Sequence, residues 1–184
     1  MQSAGSSRST TDTYGRLDQP PEDLCPQEPQ RFARKTGPGH GSRSGLAVAR
    51  PTLREEHIDC VLHLSRPAWV RGDAIRLEQV LINLLRNALD AMRECPSRRL
   101  EVRIDAIDKQ WRLSVKDNGT GIAEENLASI FDPFFTTKPV GDGLGLGLAV
   151  SYAIIHELGG QLTAQNHAEG AVFWFSLPND FLET

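Results

Sequence analysis

Residues 73–93 place the strongest constraint on the fold. Val80, Leu81, Leu84, Leu85, Ala88 and Met92 recur at helical spacing, so one face of a helix about six turns long has to be buried. Asp73 suits the N-cap and Pro96 stops the helix. The period then changes. Residues 100–107 and 111–115 alternate apolar and polar, as half-buried strands do, with Asp108-Lys109-Gln110 as their turn. Residues 58–64 alternate in the same way ahead of the helix, and 52–57 read as the end of a short helix. Further on, residues 123–130 predict a short helix and 131–145 a loop. Residues 146–158 predict a helix stopped by Gly159-Gly160, and 161–165 and 171–177 a closing pair of strands around 167–170. The order strand, helix, strand, strand, helix, strand, strand predicts an α/β two-layer sandwich. Its sheet is mixed and largely antiparallel, with helices on one face and solvent on the other.

Composition divides the 184-residue chain in two. Residues 1–50 carry seven basic and five acidic side chains and few large apolar ones, so the formal net charge of -4 leaves -6 on residues 51–184. A stretch that poor in apolar surface cannot offset the entropy of ordering. Residues 1–45 are therefore expected to be disordered or aberrant, and 46–184 to form one compact domain. The acidic balance gives no field for nucleic acid. No apolar run approaches the ~20 residues that span a bilayer, no signal-peptide pattern opens the chain, and no membrane contact is expected. Cys25, Cys60 and Cys95 form no CxxC pair, which fits a reducing, cytoplasmic setting without a disulfide framework or zinc site.

Three segments carry chemical signals. On the long helix Asn83, Asn87 and Asp90 fall within about 60° of one another beside the apolar stripe. They read either as a solvated face or as oxygens aimed at a cation or phosphate, and oxygen ligands suit magnesium. Asp117-Asn118-Gly119-Thr120-Gly121 ends a strand. It is either an ordinary turn or a carboxylate placed to accept from an exocyclic amine, with glycines that let backbone approach a flat ligand. Phe131, Phe134 and Phe135 precede Gly141-Asp142-Gly143-Leu144-Gly145-Leu146-Gly147-Leu148, a glycine-rich loop running into a helix. A helix N-terminus is ready for phosphate. The alternative is a mobile surface loop, which three aromatics oppose because exposing them is costly. Neither a Walker A loop nor a Rossmann fingerprint is present.

Taken together, N-x-x-x-N, D-x-G-x-G, F-x-P-F-F and G-L-G-L-G-L resemble, in order and spacing, the N, G1, F and G2 boxes of sensor histidine kinases. The resemblance covers about residues 52–178 and is nearest to the four-carbon dicarboxylate and nitrogen-regulation branch. It implies the Bergerat ATP-binding fold with a lid over ATP. By the same resemblance Asn87 ligates the magnesium that bridges the phosphates, Asn83 supports the phosphate side, and Asp90 is a further ATP-binding residue. Asp117 reads the adenine amine, and Gly119, Gly121 and Ile122 shape the base pocket. Gly143, Gly145 and Gly147 offer N–H groups to the phosphates, with Leu144, Leu146 and Leu148 between and after them. Thr137 and Lys138 belong to the lid, and Phe131 and Phe134 anchor it.

In related hydrolysing members a glutamate base stands four residues before the magnesium asparagine. That position is Asn83 here, and an amide cannot take a proton from water, which favours transfer over hydrolysis. His40, His57, His63, His156 and His167 do not fit the phosphoacceptor pattern. Arg31-Phe32-Ala33-Arg34-Lys35 resembles the end of the dimerisation hairpin, but its surroundings depart from the family. The implied partners are therefore a separate dimerisation and phosphoacceptor domain and, downstream, a response regulator. Full-length relatives are often anchored in the inner membrane. The other readings are a non-catalytic nucleotide- or partner-binding remnant and an anti-sigma-type serine kinase.

Overall fold

The computed structural model describes residues 58–64, 73–139 and 143–179. The segment 1–45, the helix end at 52–57, Cys25, Arg31-Phe32-Ala33-Arg34-Lys35, His40, His57 and Gly141-Asp142 lie outside the described residues.

The main elements follow in the expected order: β1 (Asp59–Leu64), α1 (Ala74–Ala91), β2 (Arg99–Ile107), β3 (Gln110–Asp117), α2 (Gly147–Glu157), β4 (Gln161–His167) and β5 (Gly170–Pro178). The strands form one sheet in the order β1-β2-β3-β5-β4. β1 runs parallel to β2, and the other neighbours are antiparallel. This is the expected mixed, largely antiparallel α/β sandwich.

Period-two patterning sets the layers. Val102 faces Val115 across β2 and β3, and Val115 faces Phe173 across β3 and β5. Such residues bury one side of the sheet, while Arg103, Arg112 and Lys116 stay exposed on the other. On the buried side the apolar stripe of α1, from Leu77 to Met92, and Ile154 and Ile155 of α2 complete a single core.

Asp73 caps α1 as expected, its carboxylate accepting from the Ile75 N–H at 2.9 Å. The helix ends at Ala91, before Arg93. The Ala91 carbonyl accepts from Thr120 N–H at 3.2 Å, and Cys95 N–H turns to Met92 instead. The loop after β3 thus takes the carbonyl that would have extended the helix, upstream of Pro96. The expected helix at 123–130 is a correction: only Glu124–Asn126 form a 3-10 turn. Ala123 provides no side-chain cap. The N–H groups of Asn126, Leu127 and Ser129 all reach back three residues, a spacing that rarely persists. The β2–β3 turn is two residues long, with Asp108 and Lys109 both at positive φ, the geometry that matches strand twist.

Candidate functional site

Asp117 occupies the last place in the inward row of β3, after Trp111, Leu113 and Val115. A carboxylate thus stands where the pattern calls for an apolar side chain, and it is 2% exposed. Its Oδ1 accepts from the N–H groups of Gly119 at 2.9 Å and Ala171 at 3.4 Å. Its Oδ2 accepts from no described residue. Burial pushes the Asp117 carboxyl above the usual carboxylate range, and those two N–H groups, with the neighbouring His167 ring, partly offset it.

The loop after Asp117 is tightly held. A Cβ on Gly119 would come within 2.6 Å of the Ala91 carbonyl oxygen, so only glycine lets the loop pass the end of α1. Asn118 accepts from Arg99 N–H at 2.7 Å and donates to the Ser97 carbonyl at 2.9 Å. Ile122 is held at both backbone groups by Asn166: its N–H donates at 2.8 Å and its carbonyl accepts at 2.6 Å.

The polar row of α1 divides its contacts. The Asn83 amide N–H donates to the Gly147 carbonyl at 3.0 Å and to the buried Ser151 hydroxyl at 3.1 Å. Asn87 is half-buried, and its side chain makes no hydrogen bond to another described residue. Asp90 pairs with Lys138 at 2.5 Å and with Arg93 at 3.2 Å.

Lys138 and Gly147 each meet α1, through Asp90 and Asn83. The Phe131 ring lies 5.4 Å from that of Tyr152 and packs against the core. Phe134, expected as the second anchor, is instead 74% exposed, at φ +67°. The inward aromatic is Phe135, because the left-handed turn at Phe134 exchanges the two. Thr137, Gly143 and Leu144 are exposed. Leu146 precedes α2 without a side-chain cap, and the first helical bond runs from Val150 N–H to the Leu146 carbonyl. The N–H groups of Gly147, Leu148 and Ala149 therefore stand outside the helical ladder.

The three sequence signals converge on α1, which carries the first: the loop after Asp117 meets it at Ala91, and the lid meets it at Asn83 and Asp90. Sequence reasoning missed Ser151, Asn166 and Gly170, and it named Phe135 among the lid aromatics without making it an anchor. It also placed His167 in a loop, whereas His167 closes β4 and its Nε2 bonds the Asp117 carbonyl at 2.9 Å. The other described histidines are His63, 3.6 Å from Glu101, and His156, stacked on Tyr152. Among the described residues no group of three His, Cys, Asp or Glu is arranged to hold a metal, and no helix is long and apolar enough to cross a membrane.

Residues 72–180 match the family of histidine kinase-, DNA gyrase B-, and HSP90-like ATPases. The chain belongs to this family. Its histidine kinase branch is where the similarity lies. The chain is 50% identical over 114 residues to the two-component sensor PprA of Pseudomonas aeruginosa, covering 59% of this chain and 12% of that protein. It is 48% identical over 105 residues to the C4-dicarboxylate transport sensor protein DctB of the same organism, covering 56% and 17%. Among solved structures, the nucleotide-free catalytic domain of histidine kinase ThkA superposes with a TM-score of 0.65 at 33% identity, covering 73% of this chain and 88% of that one. ThkA in complex with the response regulator protein TrrA matches with a TM-score of 0.62 at 32% identity, covering 73% and 38%. The chain thus carries the ATP-binding catalytic domain of a sensor histidine kinase and spans a small part of these curated relatives.

Proposed function

We propose that this domain binds Mg-ATP and transfers the γ-phosphate to a histidine on a separate dimerisation domain, from which a response regulator takes it in the cytoplasm. The observation that carries the reading is the buried Asp117 carboxylate, with Oδ1 held by backbone N–H groups and Oδ2 left without a partner among the described residues. An ionised carboxylate is an acceptor only, so Oδ2 takes a hydrogen bond from the adenine 6-amino group. Gly119, Gly121 and Ile122 line the base beside it.

The donor set suits magnesium held jointly with phosphates. Asn87 keeps its amide oxygen uncommitted among the described residues, and no cluster there could hold the ion unaided. Magnesium characteristically binds through few protein groups plus phosphates and water. When bound, it supplies charge neutralisation at the phosphates. Gly143, Leu144, Gly145, Leu146, Gly147 and Leu148 present backbone N–H groups to the phosphates, and Lys138 and Thr137 approach from the lid, which Phe131 docks and Phe134 borders. Asn83 is tied to Gly147 and Ser151 and is no base. The domain's part in transfer is thus positioning and electrostatics: the bond from the γ-phosphorus to the ADP oxygen breaks as one to an imidazole nitrogen forms.

Calorimetry tests the reading. Binding of ATP requires magnesium and is lost in Asp117→Asn, and undiminished binding by that variant sinks the adenine assignment. The chain alone gains no acid-labile phosphate. Adding a dimerisation domain of this branch yields phosphohistidine, and its absence there favours a binding-only module.

A further inference from the structure

The loop 117–122 is held on its far side by the end of the β4–β5 hairpin. Asn166 offers Ile122 a donor and an acceptor together, the pairing a neighbouring strand residue would give, and so adds one rung to the sheet with a side chain. His167 Nδ1 accepts from Glu169 N–H at 3.3 Å. That leaves its Nε2 as the donor to the Asp117 carbonyl at 2.9 Å. Gly170 completes the cradle: a Cβ there would overlap the Asp117 carbonyl and come within 2.8 Å of Gly119 N and 2.9 Å of Asp117 Oδ1. The neighbouring Ala171 N–H reaches that same Oδ1.

We propose that Asn166 and His167 are positioning residues for base recognition: through Ile122 and the Asp117 carbonyl they hold the Asp117 carboxylate where it accepts from a 6-aminopurine and repels a 6-oxopurine. This rests on the reading of Asp117 as the group that meets the base. An ionised carboxylate accepts from an amino group, but against a carbonyl it sets acceptor on acceptor. The discrimination depends on placement, because hydrogen bonds weaken steeply outside a narrow distance and angle. The loop contains two glycines and has little stiffness of its own. Its register is therefore borrowed from β4, on the opposite side of β5 from β3.

The test compares the affinities of ATP and inosine triphosphate for the full chain by calorimetry. Wild type prefers ATP. Asn166→Ala and His167→Ala are expected to lower that preference by about tenfold, the scale of a hydrogen bond to a charged group. His167→Gln keeps a donor and retains most of the preference, a rescue that general destabilisation would not produce. Cooperative thermal melting monitors the fold. If an alanine variant fails to melt cooperatively, Asn166→Asp serves in its place: it keeps the acceptor for Ile122 N–H, removes the donor and is also expected to lower the preference. Folded variants with the wild-type preference, beside an Asp117→Asn control that has lost it, overturn the positioning role and leave the base reading standing. A wild type without preference, or an Asp117→Asn chain that retains it, overturns the base reading and the positioning role together.

Discussion

Asn83, in the middle of α1, donates its amide N–H to the carbonyl of Gly147, the first residue of α2, at 3.0 Å. The same amide reaches the Ser151 hydroxyl, which itself donates to the Gly147 carbonyl at 2.8 Å. One asparagine thus fixes the start of α2 against α1, and the N–H groups that precede the helical ladder are aimed from that fixed point. Asn83→Ala removes two hydrogen bonds while Ser151 continues to satisfy the carbonyl, so stability is expected to fall by about 1–2 kcal/mol. ATP affinity falls with it, because phosphate donors held less firmly bind less well. Urea unfolding and calorimetry read the two effects, and an unchanged stability would show that the contact contributes nothing.

Asp90 and Lys138 form an ion pair between α1 and the lid segment, each about one-third exposed. A pair this accessible contributes at most about 1 kcal/mol to folding. Its consequence lies in competition: Lys138 cannot serve Asp90 and a phosphate equally. Asp90→Asn is expected to tighten ATP binding by about threefold and Lys138→Ala to weaken it by about tenfold, the range of charge-assisted contacts. Stability changes little in either variant. Tighter binding that vanishes in the double variant identifies Lys138 as the group released, whereas weaker binding by Asp90→Asn contradicts the competition.

Burial raises the proton affinity of the Asp117 carboxyl in the folded chain above its unfolded value. The folded state then binds more protons than the unfolded one between the two pKa values. Stability from this group is fully present below the unfolded pKa and is lost as pH rises through the folded pKa. Above its folded pKa the wild type bears a buried charge that Asp117→Asn removes. The variant is expected to melt about 2–4 °C higher at pH 7 while losing ATP, a common exchange of function for stability. The gap narrows on acidification toward pH 4. A variant that melts below wild type at pH 7 would show that the two backbone N–H groups outweigh burial.

The sandwich was legible because two periods alternate along the chain, with β3 and β5 following period two most closely. The end of α1 was set by a contact distant in sequence. Thr120 takes the Ala91 carbonyl and ends α1 early, and no local signal at Ala91 announces it. Asn87 and Asp117 stood out as polar residues beside or within apolar rows, and the inward parity of Asp117 was there to be counted. Asn166 and Gly170 were not legible. Asn166 lies at the polar end of β4 and Gly170 beside a turn, so each looked ordinary until the sheet set β4 beside β5 and β5 beside β3. Phe134 and Phe135 could not be ranked from sequence either, since a single positive φ decides which of the two faces inward.

The glycines near the site are expected to divide into those that space requires and those that only chemistry would. A Cβ on Gly119 meets the Ala91 carbonyl oxygen at 2.6 Å, its carbon at 2.7 Å and its Cβ at 2.8 Å. Most of these atoms are backbone and cannot yield without moving α1. Gly119→Ala should destabilise by about 1–3 kcal/mol, as overpacking does, and displace the loop that carries Asp117, so that ATP binding is lost as well. A Cβ on Gly143 meets only the Lys138 Cδ, at 3.8 Å, and alanine retains the backbone N–H. Gly143→Ala should therefore leave stability within about 0.5 kcal/mol and ATP affinity nearly unchanged. Chemical denaturation and calorimetry on the two variants give the comparison. A Gly143→Ala chain that folds normally but loses ATP would show that a bound nucleotide requires left-handed backbone at Gly143.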